Sequence, residues 1–174
     1  SQDVNRFKES IDGIRKAAPG VIIQISTGGA VGESIENRAK PLALKPEMAS
    51  LNMGTMNFGD DVFYNHPKDI VALAAKIYEH GIAPEIEVYE AGMLETAFRY
   101  LKKGILKNPM HVQYVLGVPG GMSGELQNLM LLHSMTPKDI HWGVAGVGRY
   151  QLPLAAHTIL LGGHVRVGFE DNIY

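Results

Sequence analysis

Arg166, Glu170 and Asp171 are spaced so that they could act as one unit: a guanidinium, a carboxylate four residues on, and a second carboxylate beside it. In an extended strand, side chains alternate sides with period two. His164, Arg166, Gly168 and Glu170 then share one face, and Val165, Val167 and Phe169 share the other. Residues 165–169 therefore read as a strand whose apolar face packs on helices while the opposite face carries charge to the strand's end. Charged side chains are rarely buried unless they are paired, ligate a metal or do chemistry. The plain alternative is an edge strand with a solvated polar face.

Other groups could join this trio. In residues 85–90, Ile86 and Val88 alternate with Glu85 and Glu87, so the two carboxylates face away from the helices and need a cation, for which Arg166 is the candidate. Ser26, Thr55 and Asn57 follow strand-like runs and lie beside glycines. There, hydroxyl, amide and backbone N–H groups suit a carboxylate or phosphate oxygen, although such residues also cap helices. Gly146-Val147-Gly148-Arg149 follows a strand and precedes a helix, where many barrels bind phosphate. It lacks the third glycine of a dinucleotide loop, and a tight turn would explain it equally well. No two of the seven histidines form H-x-H or H-x-x-x-H. His111, His141 and His164 begin strands, away from the strand ends where a site would form, and read as structural. Glu170 remains a carboxylate that could complete a metal site whose other ligands lie outside this chain.

A βα period positions these residues. Apolar runs at 21–26, 49–53, 85–89, 111–116, 140–144 and 165–169 each end near glycine. Helical patterns lie between them at 67–80, 93–103, 126–133 and 152–161, with another at Val4–Ala17. Short strands alternating with helices imply a parallel sheet. Six such units, about thirty residues apart with no break in composition, predict one partial domain over residues 1–174. The expected fold is an α/β (β/α)₈ barrel, to which the chain supplies about strands three to eight, without the N-terminal strands and the last helix. An open doubly wound sheet of six strands is the rival.

Composition sets bounds. Sixteen basic against eighteen acidic residues give no field that would attract nucleic acid. No apolar run is long enough to span a bilayer, and the absence of cysteine excludes a disulfide framework and thiolate metal ligands. Twenty glycines fall mainly after strands, where the backbone turns sharply or approaches a ligand.

Four segments in order carry a resemblance. They are Pro46-Glu47-Met48-Ala49-Ser50-Leu51-Asn52-Met53-Gly54-Thr55-Met56-Asn57-Phe58, Pro84-Glu85-Ile86-Glu87-Val88-Tyr89, Gly143-Val144-Ala145-Gly146-Val147-Gly148-Arg149 and Val165-Arg166-Val167-Gly168-Phe169-Glu170-Asp171-Asn172. Together they resemble the β-keto acid cleavage enzyme family, whose best-known member acts in lysine fermentation. The resemblance implies a zinc-dependent (β/α)₈ barrel that converts a β-keto acid and acetyl-CoA into acetoacetate and a new CoA thioester by retro-Claisen-type chemistry. It implies Glu170 as a zinc ligand, the family's H-x-H pair being absent from this chain. It further implies Asp171 as general base, Arg166 as the group that orients it or stabilises negative charge, and Glu87 as support for Arg166. Ser26, Thr55 and Asn57 would hold the substrate carboxylate, with Gly146 and Arg149 as further binding candidates. A cytoplasmic homo-oligomer, a tetramer, completes the expectation, with small molecules as partners and neither nucleic acid nor membrane. Another metal-dependent lyase or aldolase barrel, or an inactive piece of a larger assembly, are the alternatives.

Overall fold

Strand β5 (Ala83–Val88) shows how the sequence builds this protein. Pro84, Ile86 and Val88 point outward, with Ile86 and Val88 fully buried, while Glu85 and Glu87 point to the opposite side. The same alternation recurs along the sheet. In the computed structural model, which describes residues 3–29 and 32–173, the elements run α1 (Val4–Ala17), β1 (Gln24–Ile25), α2 (Ile35–Ala39), β2 (Met48–Asn52), β3 (Met56–Phe58), β4 (Asp61–Phe63) and α3 (Pro67–Glu79). They continue with β5, α4 (Ala91–Lys102), β6 (His111–Leu116), α5 (Leu126–Met135), β7 (His141–Gly146), α6 (Gln151–Leu160) and β8 (His164–Arg166).

Among the described residues, six parallel strands form one sheet in the order β1-β2-β5-β6-β7-β8, and β3 pairs with β4 in a separate antiparallel hairpin. The order follows the chain and never reverses, which removes the doubly wound alternative, where a reversal creates the binding crevice. The sheet also curls. Arg166 on β8 reaches within 3.5 Å of Glu87 on β5, three strands away. In a flat sheet, three spacings of about 4.8 Å would separate them by roughly 14 Å. Likewise Gln24 on β1 donates to Glu85 on β5 at 2.7 Å, across β2. The result is a curled half of a (β/α)₈ barrel, six strands with helices on the convex face.

Register fixes what each face carries. Ser50, Glu85, His111 and His141 stand at one level across β2, β5, β6 and β7, and Asn52, Glu87, Gln113 and Gly143 at the next. Their neighbours Ala49, Leu51, Ile86, Val112, Tyr114 and Val144 are buried under the helices. Barrel interiors are usually packed with branched apolar side chains, whereas this concave face is polar. The outer face is closed by specific packing: Tyr114 stacks on Trp142 at 5.5 Å, and His133 of α5 lies 4.7 Å from the same indole. Helices stop where glycine takes a positive φ, at Gly81 after α3 and Gly104 after α4. No helix of the described residues is long and apolar enough to cross a membrane.

The last strand departs from expectation. β8 ends at Arg166, so Val167 and Phe169 do not continue an apolar strand face; Phe169 is 90% exposed. A turn replaces the pleat, with Asp171 and Asn172 N–H groups both donating to the Gly168 carbonyl at 3.0 Å. That turn folds Glu170 and Asp171 back toward Arg166. Two further elements escaped the period analysis: α2, capped by Ser34, and the β3–β4 hairpin. The hairpin turns at Gly59 with φ of +62°.

Candidate active site

Arg166, at the end of β8, gathers the carboxylates of the concave face. Its Nε and one terminal nitrogen donate to the two oxygens of Asp171, each at 3.0 Å, in a fork-to-fork pair. The same terminal nitrogen lies 3.0 Å from Glu170, and the other terminal nitrogen lies 3.5 Å from Glu87. The structure therefore brings together Arg166, Glu87, Glu170 and Asp171. Burial alone would lower the Arg166 pKa, but Asp171, Glu170 and Glu87 outweigh it and hold it above the ordinary arginine value. Burial, reinforced by Glu85, pushes the Glu87 carboxyl up to about 7 against the opposing pull of Arg166.

A cavity of about 510 Å³ opens over this group, within the range of small-molecule sites. Its lining combines the charged Arg166, Glu87 and Glu170, the small polar stretch of Ser26, Gly28 and Ser50, and the aromatic rings of Phe58, Phe63 and Tyr89. Asp171, 7% exposed, sits behind Arg166, its backbone carbonyl accepting from Gly148 N–H at 2.7 Å. Both serine hydroxyls at the cavity accept from backbone, Ser26 from Gly28 N–H at 3.1 Å and Ser50 from Thr27 N–H at 3.1 Å. Each O–H thus stays available to donate.

Not every residue singled out in the sequence arrives here. Thr55 accepts from Asn65 N–H at 2.8 Å, and Thr55 and Asn57 line a separate groove with Glu90 and Met93. The β3–β4 hairpin diverts the chain just where a simple βα loop was expected. At this crossing the Asn57 carbonyl passes so close to Gly120 (φ of +104°) that a Cβ there would lie 1.9 Å from its oxygen, so only glycine fits. Gly146 ends β7 against the Tyr150 backbone, where a Cβ would lie 2.7 Å from its carbonyl oxygen. Arg149 donates to the Tyr150 hydroxyl at 2.8 Å and lies 4.9 Å from that ring. Neither Gly146 nor Arg149 lines the Arg166 cavity.

Residues the sequence reasoning missed take their place. Gln24, Ser50 and Tyr89 line the cavity. Asn52 stands opposite Glu87 in the register, and its buried side-chain nitrogen has no hydrogen-bond partner among the described residues. Strand parity could have found Ser50 and Asn52: with Ala49, Leu51 and Met53 on the helix side, the two polar residues between them must face inward. His111, His141 and His164 stand at the strand starts, where His111 lies 3.5 Å from Glu85 and 5.6 Å, ring to ring, from His164. Burial holds the His111 pKa below its usual value, Glu85 opposing.

The donor set for a metal is incomplete. Catalytic zinc generally takes three protein ligands, but among the described residues no three His, Cys, Asp or Glu side chains are placed to hold a metal ion, the three carboxylates around Arg166 being taken up by its guanidinium. The Glu170 carboxylate, largely exposed, is engaged by Arg166. The described residues do not by themselves fit a zinc ion.

Glu87 makes a pH test available. Its folded-state pKa is raised above the free value, so protonation favours the folded state. Its contribution to stability is full below the ordinary carboxylate range and is lost as pH rises through about 7. The melting temperature should therefore fall between about pH 4.5 and 7 and level off above that, and Glu87→Gln should flatten that slope. An unchanged slope in the variant assigns the titration elsewhere.

The family model described as beta-keto acid cleavage enzyme matches residues 1–174. A Fusobacterium nucleatum protein named 3-keto-5-aminohexanoate cleavage enzyme is 48% identical over 100% of this chain and 64% of its own length. One of the same name from Acetoanaerobium sticklandii is 46% identical with the same coverage. The 3-oxoadipate:acetyl-CoA acetyltransferase of Cupriavidus necator is 39% identical over 99% of this chain and 62% of its own. The chain thus spans a little under two thirds of these curated relatives. Among solved structures, the binary complex of ObcA with oxaloacetate superposes with a TM-score of 0.79 at 18% identity, over 99% of this chain and 47% of that one. At that identity the likeness is one of fold.

Proposed function

The chain belongs to the beta-keto acid cleavage enzyme family, and from that premise we propose that its protein cleaves a β-keto acid with acetyl-CoA, forming acetoacetate and a new CoA thioester. The C2–C3 bond of the keto acid and the acetyl C–S bond of acetyl-CoA break, C2 joins the acetyl carbonyl carbon to give acetoacetate, and the released acyl group is bonded through C3 to the freed CoA sulfur. No oxidant or reductant is needed. The observation that carries this reading is one cation, Arg166, holding three carboxylates at the edge of a cavity sized for a small acid. The acetyl-CoA in the name of the Cupriavidus relative supports the co-substrate.

Each residue then has a task. Asp171 takes the C2 proton and returns it, and the two bonds from Arg166 fix its carboxylate while leaving a lone pair on each oxygen. Arg166 also presents positive charge to the developing enolate. Glu87 braces Arg166 from the barrel side. The hydroxyls of Ser26 and Ser50 hold the substrate carboxylate, with the buried Asn52 amide, unpartnered among the described residues, on the same inward face of β2 as Ser50. Phe58, Phe63 and Tyr89 receive the variable acyl chain. Thr55 and Asn57, in the adjoining groove, and Arg149, tied to Tyr150, take no direct part.

Zinc enters this proposal only through Glu170, as one ligand completed by donors other than the described residues; when bound it would supply Lewis-acid polarisation of the keto oxygen. In the full-length protein, Glu170→Gln should lower zinc content measured by elemental analysis, because a neutral amide is a far poorer ligand than a carboxylate. Full occupancy in the variant removes Glu170 from the ligand set. The reaction itself is tested by acetoacetate formation from acetyl-CoA and a panel of β-keto acids beginning with 3-keto-5-aminohexanoate and 3-oxoadipate. No CoA-dependent cleavage across the panel overturns the reading.

A further inference from the structure

Arg38 is a buried cation outside the machinery described above. It lies in α2 and is 2% exposed. Its Nε donates to the Thr27 carbonyl at 2.7 Å, and its terminal nitrogens donate to the Tyr64 carbonyl at 3.2 Å and the Asn65 side-chain oxygen at 2.7 Å. All three acceptors are neutral. Among the described residues no carboxylate pairs with it; Asp69 and Glu87 act on it only at longer range. A buried charge is costly unless compensated, so a cation given only neutral acceptors retains its field for something else.

Its surroundings indicate what that is. Its guanidinium lies 5.1 Å from the centre of the Phe63 ring, and Thr27 sits between Ser26 and Gly28; Phe63, Ser26 and Gly28 all line the Arg166 cavity. Two carboxylates, Glu87 and Glu170, line that cavity beside one arginine, and a third, Asp171, stands behind that arginine. An anionic substrate entering it meets a surplus of negative charge. We propose that Arg38 is the fixed cation that lets this cavity accept an anionic keto acid, a positioning residue held behind the wall formed by Phe63 and residues 26–28. The inference rests on reading the cavity as a keto acid site.

The test is equilibrium binding by calorimetry to the full-length protein, with acetoacetate as the anionic probe and methyl acetoacetate as its neutral counterpart. Asn65→Asp keeps an acceptor for Arg38 and supplies the missing counter-charge, so it neutralises the field without emptying the site. Arg38→Met removes the charge, and Arg38→Lys keeps it. Asn65→Asp and Arg38→Met should each weaken acetoacetate about tenfold and leave the methyl ester within about twofold, whereas Arg38→Lys should retain most of the discrimination. Unchanged acetoacetate affinity in Asn65→Asp overturns the proposal. So does equal weakening of both probes, which marks a merely structural role. Turnover of the unaltered protein is read separately. Absence of cleavage with acetoacetate binding that depends on Arg38 defeats the reaction and not this assignment, and cleavage with binding indifferent to Arg38 does the reverse.

Discussion

Replacing Asp171 with Asn should abolish most turnover while leaving the protein folded and able to bind substrate. The change is isosteric, and Asp171 is buried against Arg166, so the cavity keeps its shape. An amide cannot accept a proton from carbon, and it offers Arg166 one acceptor where the carboxylate offered two. A positioned general base contributes about 10²–10⁴-fold, and the loss in kcat should fall in that range. KM for the keto acid should move far less, because the carboxylate grip assigned to Ser26 and Ser50 is made elsewhere in the cavity. Zinc content, measured alongside, should be unchanged. A variant that turns over at the parental rate removes Asp171 from the role of base.

Arg166→Met should cost both stability and activity. Asp171 and Glu87 would be left buried without their cation, beside a third carboxylate. Stripping one partner from a buried charge pair costs about 3 kcal/mol at the low end, which applies here because Arg166 is partly exposed. Chemical denaturation should show that drop, and kcat should fall at least about a hundredfold as the base loses its orientation. Arg166→Lys should recover stability in part and activity little, since a single ammonium cannot span both Asp171 oxygens in the fork geometry. Full activity in the lysine variant would show that charge alone suffices.

Much of the fold is local and was therefore legible. The helix over Val4–Ala17 and the strand over His111–Leu116 match their sequence patterns residue for residue. Other boundaries shift by a few residues, because a strand ends where its neighbour stops pairing. β7 runs on to Gly146 because β6 pairs with it that far, and β8 stops at Arg166 because the register with β7 ends at Ala145. The missed hairpin had a signal, Gly59-Asp60 between short apolar stretches, but a βα period leaves no place for an antiparallel pair.

The sequence by itself determined which face of each strand is apolar, and hence that Glu85, Glu87 and Arg166 point away from the helices, because alternation is a property of one extended segment. It put Arg166, Glu170 and Asp171 close together in the chain, but the turn at Gly168, in place of the expected strand, brings the two carboxylates onto the guanidinium. Only the tertiary structure decided that Glu87, three strands off, meets the same guanidinium, because the meeting requires the sheet to curl. The same holds for the carboxylate-binding candidates. Thr55 and Asn57 have the chemistry and the flanking glycines, but the hairpin carries them out of the Arg166 cavity, while Ser50 stays on the inward face of β2 and lines it. Nothing in the sequence pattern sets Arg38 apart from the other arginines. Its burial among neutral acceptors arises because segments up to 27 residues apart in the chain close around it, a long-range packing outcome that no local pattern records.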